Sequence, residues 1–214
     1  MSMPSTMSRP SEVPQARTPQ RRNGKLRVAA ILKAGAAVIA EKGYEAATMA
    51  EIAARSSTKI GSLYRFFPNK EVLANALIAH YHEGVHDAFD ELDSRIQSLS
   101  ISALADFLLD LMVDLHKGAG PTMKRLLEIP EVLSVKRGEF SRSIHKHIVR
   151  TLTLRSPGLT ANKAQDMAVV ILGNMKTMAA FSDATDQSVR PGAIEELREM
   201  TRIYLKSRLK TKPV

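Results

Sequence analysis

Apolar residues recur at helical spacing along most of the chain. Between Lys25 and Gly43 residues suited to one buried face fall three and four positions apart, at Val28, Ile31, Leu32, Gly35, Val38 and Ile39. Gly43 is suited to end this first helix, because glycine adopts the conformation that follows a helix C-terminus. No stretch shows the sustained alternation of apolar and polar residues that is typical of a strand. The pattern predicts an all-α fold.

Two short helices follow the first. Thr48 and Glu51 have the spacing of a capping box, in which the threonine caps the helix and the glutamate reaches back to its first residue. The polar run Arg55–Thr58 predicts a turn, and a helix over 59–67 is ended by Pro68. Asn69 is predicted to cap the next helix.

Longer helices fill the rest of the chain. Six helical segments are predicted at 70–98, 101–117, 121–128, 131–155, 160–183 and 191–210, and prolines and glycines mark four of the five breaks between them. Together the patterns predict three regions, namely a flexible basic tail over 1–23, a helix-turn-helix domain over 24–70 and a larger helical domain over 71–214. The fold class is therefore an N-terminal three-helix domain followed by a larger helical domain.

The basic residues are concentrated in the first third of the chain. Residues 1–70 contain 12 Lys and Arg against 4 Asp and Glu, whereas residues 71–214 contain 19 against 18. Such asymmetry predicts a polyanion-binding segment joined to a nearly neutral domain, and phosphate is the expected anion. No apolar run approaches the length that a membrane span needs, so no membrane partner is expected. The chain has no cysteine, which favours the cytoplasm and excludes thiolate metal sites.

The segment "TKIGSLYRFFPNKE" (58–71) combines cationic and aromatic residues in the second half of the predicted helix-turn-helix. Ile60, Leu63 and Phe67 recur at i, i+3 and i+7, so they are predicted to face the core. The remaining side chains are predicted to face outward, where their hydroxyl and cationic groups suit phosphates and base edges: Lys59, Gly61, Ser62, Tyr64 and Arg65. The alternative is an outer face that contacts only water.

The stretch "ILKAGAAVIAEKGYEAATMAEIAARSSTKIGSLYRFFPNKEVL" (31–73) resembles the DNA-binding domain of the TetR family of bacterial transcriptional regulators. The similarity rests on "EKGY", Thr48, "EIA" and "GSLYRFFPNKEVL". It implies that Thr48 and Lys70 hold DNA phosphates and that Tyr64 contacts the sugar-phosphate backbone. It also implies that Gly61 and Ser62 approach bases and that Met49 and Ala50 lie beside a thymine methyl group. The full set of expected DNA contacts is Arg21, Arg22, Lys25, Thr48, Met49, Ala50, Lys59, Ile60, Gly61, Ser62, Tyr64, Arg65, Phe66 and Lys70.

The turn departs from the family pattern. Ser56, Ser57, Thr58 and Lys59 stand where the family commonly has Ala-Gly-Val-Ser. The glycine suited to a left-handed conformation and the serine N-cap are both replaced. We therefore predict either a looser turn or capping by Ser57 or Thr58.

The larger domain is expected to dimerise and to bind a small molecule. By resemblance, the last two helices form a four-helix interface with their twins in a homodimer, for which the candidate residues are Ile171, Met175, Met178, Ala179, Ile194, Leu197, Met200, Thr201 and Tyr204. Plain core is the alternative interpretation of these stripes. A largely apolar effector is expected against Met and Phe walls, with the candidates Phe89, Phe107, Leu111, Met112, His116, Met123, Phe140, Ile144, Met167 and Asn174. An ordinary core explains the same residues.

Three alternatives compete with an operator-binding, effector-released repressor. Residues 82–86 read "HEGVH", the H-E-x-x-H pattern, so His82 and His86 suggest a metal-sensing regulator or a zinc hydrolase. A sequence-neutral DNA-compacting protein also fits the charge distribution. An activator has the same sequence features as a repressor. No P-loop, G-x-G-x-x-G or G-x-S-x-G motif occurs, and neither a cofactor nor enzyme activity is expected.

Overall fold

A computed structural model of the chain describes Ala16 and residues 21–118, 120–126, 130–182 and 191–209, with the side chains of residues 116, 124, 130–137 and 191 excepted. The predicted tail therefore lies almost wholly outside the described residues. Within these ranges the regular elements are helices only: α1 (Arg22–Lys42), α2 (Met49–Arg55), α3 (Ile60–Phe66), α4 (Lys70–Arg95), α5 (Ile101–Gly118), α6 (Gly120–Leu126), α7 (Pro130–Arg155), α8 (Ala161–Phe181) and α9 (Pro191–Arg208). The predicted all-α fold is confirmed.

Side-chain caps begin several of these helices where the sequence predicts them. Thr48 Oγ1 accepts a hydrogen bond from the Glu51 amide at 3.2 Å. Asn69 Oδ1 accepts one from the Val72 amide at 2.8 Å. The capping box is nevertheless incomplete, because the Glu51 carboxylate lies 2.8 Å from Lys42 Nζ of α1. Glu51 therefore ties α2 to α1, where a full ammonium charge competes with the backbone amide of Thr48.

Two compact units make up the chain, the first ending at Leu77 and the second beginning at Ile78. In the first unit α2 contacts both α1 and α3. Its core is formed by fully buried aliphatic and aromatic side chains, which are Ile31, Val38, Ile39, Ile52, Leu63, Phe67 and Leu73. The functional boundary predicted after residue 70 stays a prediction.

The second unit is a helical bundle in which α5 packs against α8 and α9, and α7 packs against α8. Its main core includes Phe89, Leu104, Leu108, Ile148 and Ile171. Along the described part of the chain, no helix has both the length and the apolar character that crossing a membrane requires.

Candidate nucleic-acid interface

The turn between α2 and α3 has the geometry of a Schellman motif. The Thr58 amide donates to the Ala53 carbonyl at 2.9 Å, and the Ser57 amide donates to the Ala54 carbonyl at 3.1 Å. Ser57 has φ of +51°, so a serine occupies the left-handed position that usually takes glycine. The tight turn is thus retained without its glycine.

The prediction that Ser57 or Thr58 caps α3 is wrong. The N-cap residue is Lys59, which makes no side-chain cap hydrogen bond. The Thr58 hydroxyl is engaged in the turn itself, where Oγ1 donates to the Ser56 carbonyl at 3.2 Å. Since Ser57 is used for the left-handed position, neither residue is placed to cap the helix.

The inner face of α3 differs from the predicted one at two positions. Leu63 and Phe67 are fully buried, as predicted. Phe66 is also buried, with only 5% of its surface exposed, so its ring is not available to DNA and the predicted contact is wrong. Ile60 is 44% exposed, so its predicted core position is wrong as well. Phe66 lies three residues after Leu63 on the buried side, whereas Ile60 starts the helix at its edge.

The outer face of α3 is cationic, polar and partly apolar. Lys59, Ile60, Gly61, Tyr64 and Arg65 are exposed. Ser62 is half-buried on the same helix, and the Arg65 guanidinium carbon lies 5.0 Å from the centre of the Phe66 ring. This face therefore offers hydrogen-bond donors and apolar surface together.

Arg27 of α1 joins this face, although the sequence did not single it out. Its Nη1 donates to Ser62 Oγ at 3.3 Å. A guanidinium group can only donate, so the Ser62 oxygen accepts here and the Ser62 hydroxyl proton remains free for an acceptor on a partner. Arg27 is exposed on α1, and the fold brings it next to α3.

The start of α2 follows the loop after α1. Thr48 and Ala50 are exposed, whereas Met49 is only 8% exposed and belongs to the core of the first unit. The predicted contact of Met49 with a thymine methyl group is therefore wrong. The Thr48 oxygen caps α2 by accepting, which leaves its own proton to donate to a phosphate.

Lys70 is held by the chain itself. Its Nζ donates to the Tyr44 carbonyl at 2.8 Å and to the Glu45 carbonyl at 3.0 Å. The same atom lies 4.5 Å from the centre of the Tyr44 ring, a cation–π distance. Lys70 thus ties the start of α4 to the loop between α1 and α2, and its predicted phosphate contact stays a prediction.

The start of α1 adds further positive charge. Arg21, Arg22 and Lys25 are all exposed. By contrast, Arg55 of α2 is neutralised, because Nη1 and Nη2 each donate to Glu41 at 2.6 Å. These hydrogen bonds hold the pKa of the Glu41 carboxyl below its ordinary value. The cations available to a polyanion therefore include those near the start of α1 and those of α3.

The effector candidates lie mostly in the core of the second unit. Buried side chains account for most of them, and those are Phe89, Leu111, Met112, Met123, Ile144 and Met167. Phe107 and Phe140 pack against this core while remaining partly exposed. Asn174 Nδ2 donates to Thr201 Oγ1 at 3.1 Å, so it joins α8 to α9. The side chain of His116 lies outside the described residues.

Most of the predicted dimer residues face the interior of the protomer. Six of them are buried, which are Ile171, Met175, Met178, Ala179, Leu197 and Thr201. The prediction that they form an intermolecular surface is wrong, because they pack α8 and α9 into their own unit. Ile194 and Tyr204 are half-buried against the core. Met200 is 52% exposed and remains available.

Another apolar stripe on α8 and α9 faces outward. Val169 and Val170 of α8 and Ile203 of α9 are exposed, as Met200 is. Gly173 lies four residues after Val169 and is also exposed. The sequence contains this stripe at the same helical spacing as the buried one, so periodicity does not tell which of the two faces the core.

The H-E-x-x-H histidines pack against α7 rather than converging. The His82 ring stacks on Phe140 with centroids 5.0 Å apart. His86 lies 3.7 Å from Asp90 and its ring centroid is 4.9 Å from that of His147, whose pKa is lowered by burial and by the His86 charge. Among the residues that the structure describes, no group of three or more His, Asp or Glu side chains is arranged to hold a metal ion. The metal and hydrolase alternatives are not favoured.

A turn of this geometry, followed by a short helix with a cationic outer face, defines a helix-turn-helix DNA-binding protein. Residues 31–77 match the family model of bacterial regulatory proteins of the tetR family. The chain is 25% identical over 169 residues to IcaR of Staphylococcus aureus, a negative transcriptional regulator of the biofilm operon icaADBC. That similarity covers 74% of this chain and 84% of IcaR.

Solved structures have the same fold. A TetR-family transcriptional regulator from Streptomyces coelicolor is 26% identical, with a TM-score of 0.56 over 86% of this chain and 99% of its own. A transcriptional regulator from Aquifex aeolicus is 20% identical, with a TM-score of 0.60 over 85% of this chain and 98% of its own. Residues 31–77 thus match a tetR-family DNA-binding domain, and the chain as a whole is similar to TetR-family transcriptional regulators, in line with the predicted resemblance and DNA-binding function.

Proposed function

We propose that this regulator is a repressor that binds an operator through the outer face of α3 and is released by a small molecule. The observation that carries the proposal is the exposure of Lys59, Gly61, Tyr64 and Arg65 on a helix whose other side is anchored by Leu63. An α-helix of this kind fits the major groove, where its side chains meet base edges and flanking phosphates.

The phosphate contacts are assigned to the starts of α1 and α2. Thr48 at the start of α2 has a hydroxyl donor that the helix cap leaves free, and the cations near the start of α1 are exposed: Arg21, Arg22, Lys25 and Arg27. Arg27 also fixes the Ser62 oxygen as an acceptor, so Ser62 is expected to donate to a phosphate or to an acceptor on a base edge. Binding is expected to weaken steeply with salt, because each neutralised phosphate releases counterions.

The chain is proposed to act as a homodimer in the cytoplasm. A single helix-turn-helix reads only one half-site, whereas two copies related by a twofold axis read a palindromic operator. The exposed stripe on α8 and α9, with Val169, Val170, Met200 and Ile203, supplies the apolar surface for this contact. Repression as the sign of regulation is supported by the similarity to IcaR, a negative regulator.

The proposed effector is a largely apolar molecule bound in the second unit. Phe107 and Phe140 are only half-buried against the core, and Met112 and Met167 lie in the same cluster. Aromatic and thioether side chains adapt well to apolar ligands. A compound that raises the thermal midpoint of the protein and dissociates the operator complex would identify this ligand.

The direct test is selection of bound duplexes from a random pool, followed by affinity measurements on the selected operator. Tyr64→Ala is expected to weaken operator binding by about 1–3 kcal/mol, because the variant removes an exposed side chain of α3 that meets the DNA. The matched control is Leu154→Ala, which removes an exposed apolar side chain from α7. Equal affinity of Tyr64→Ala, Leu154→Ala and wild type would contradict the proposed interface.

A transcription assay tests the sign of regulation. Addition of the protein to a template carrying the selected operator within its promoter is expected to lower transcript yield. An increase would identify an activator. Equal binding to selected and random duplexes would instead indicate a sequence-neutral DNA-compacting protein.

A further inference from the structure

The first turn of α3 presents an apolar side chain beside a bare backbone. Ile60 is 44% exposed, and Gly61 next to it is exposed as well. Tyr64, one turn later, is 47% exposed and continues the same ridge. This ridge lies on the face that the proposed function assigns to DNA, and the inference below rests on that function.

Neither Ile60 nor Gly61 has a role within the chain that explains its residue type. The core side of α3 is already supplied by Leu63 and Phe66. A Cβ atom added to Gly61 would meet no heavy atom within 4 Å, and Gly61 does not have a positive φ. Glycine is among the least favourable residues inside a helix, so its presence here is explained by a partner that approaches the backbone closely.

The chemistry of the major groove limits what Ile60 can contact. Each base pair presents hydrogen-bond donors and acceptors there, and the apolar group among them is the 5-methyl of thymine. An isoleucine placed against a donor or acceptor would remove water from that polar group without replacing its hydrogen bond, which is unfavourable. Contact with a methyl group carries no such penalty.

We propose that Ile60 reads the 5-methyl group of a thymine in each operator half-site, and that Gly61 permits the approach. The exposed aliphatic side chain packs against the methyl, while the missing Cβ of Gly61 lets the helix backbone come close to the groove. Ile60 is thereby a specificity-determining residue. It takes the role that the sequence suggested for Met49, whose side chain is buried.

The test replaces each thymine of the selected operator by uracil, which removes only the methyl group. For the wild type, uracil at one position of each half-site is expected to weaken binding about fourfold per half-site, the value of one buried methyl-sized group. Ile60→Ala is expected to bind thymine and uracil operators equally at that position. Ile60→Val, which keeps a branched apolar side chain, and Leu154→Ala are expected to keep the thymine preference.

A second variant tests the proposed contact of Ile60 with thymine through base preference rather than through affinity. Operator selection repeated with Ile60→Gln is expected to lose thymine at the sensitive position, because an amide pairs with polar base edges. Thermal unfolding of each variant checks that it is folded. Substitutions at Ile60 are expected to leave the fold intact, because this side chain is exposed.

The outcomes separate this inference from the proposed function. Specific operator binding with no uracil-sensitive position, or the persistence of every sensitive position in Ile60→Ala, would overturn the role of Ile60 and leave the repressor intact. Failure of the wild type to select any duplex would overturn the proposed function itself.

Discussion

Among individual residues, Ser57 is in an unfavourable backbone conformation. Its φ of +51° is left-handed, and a residue with a Cβ atom adopts this region at a cost. The conformation is imposed by the two hydrogen bonds of the turn, from the Thr58 amide to Ala53 and from the Ser57 amide to Ala54. The turn between α2 and α3 therefore contains strain that a glycine would relieve.

Ser57→Gly is expected to stabilise the protein by about 0.5–1 kcal/mol, because the relief of left-handed strain exceeds the extra entropy of glycine in the unfolded chain. Chemical denaturation followed by circular dichroism measures the difference. The matched control is Ser56→Gly, since Ser56 has an ordinary φ of −82° and its hydroxyl donates to the Ala53 carbonyl. The control is expected to destabilise, and the same sign for both variants would contradict the assignment of strain to Ser57.

Among the helices, two lysines mark the beginnings of α3 and α4 with different roles. Lys59 is the exposed N-cap residue of α3 and faces the proposed DNA. Lys70 begins α4, and its ammonium group is bonded to the Tyr44 and Glu45 carbonyls. The ammonium group of Lys59 is thus free to bind a partner, whereas that of Lys70 is used within the fold.

Lys70→Met is expected to lower the free energy of unfolding by about 1–3 kcal/mol, because the variant removes two charge-assisted hydrogen bonds. Lys59→Met is expected to change it by less than about 0.5 kcal/mol, as for other surface substitutions. The dependence of operator affinity on salt is expected to change in Lys59→Met and not in Lys70→Met, the opposite of the effect on stability. Its logarithmic slope should fall in Lys59→Met by about 0.9 for each phosphate that is no longer neutralised, and stay unchanged in Lys70→Met. Unchanged stability with a reduced slope in Lys70→Met would make Lys70 a phosphate-binding residue instead.

For the molecule as a whole, the exposed apolar stripe on α8 and α9 is relevant to the proposed homodimer. Gly173 lies in the middle of α8, and a Cβ atom added there would meet no heavy atom of the protomer within 4 Å. The fold of the protomer therefore does not require glycine at this position. The proposed homodimer, in which a second copy approaches this stripe closely, explains both the glycine and the exposed apolar side chains.

Gly173→Leu is expected to weaken dimerisation roughly 5- to 150-fold, because overfilling a close contact costs about 1–3 kcal/mol. The fold of the protomer should be retained, since the added side chain points into open space. Sedimentation equilibrium measures the dissociation constant. The control is Gly84→Leu in α4, another exposed glycine with no heavy atom near its Cβ position. Equal dimerisation of the two variants would place the dimer contact elsewhere.

Local sequence patterns were sufficient to predict the helices, two of their caps and the place of the DNA-binding unit. Periodic apolar residues and the caps Thr48 and Asn69 act locally, so their effect is readable from neighbouring positions. The "GSLYRFFPNKEVL" pattern and the charge asymmetry likewise located the polyanion-binding segment. Such features depend on residues a few positions apart, which is why they could be predicted.

Which faces of the helices are buried depended on packing between distant segments. Ile60 and Phe66 were both compatible with either side of a seven-residue helix, and the fold buried Phe66. On α8 two apolar stripes share the helical period, and contact with α5 and α7 buried the one containing Ile171. Arg27 came beside Ser62 although 35 positions separate them. Periodicity predicts which residues share a helix face. Contacts between distant segments decide whether that face packs into the core or is exposed.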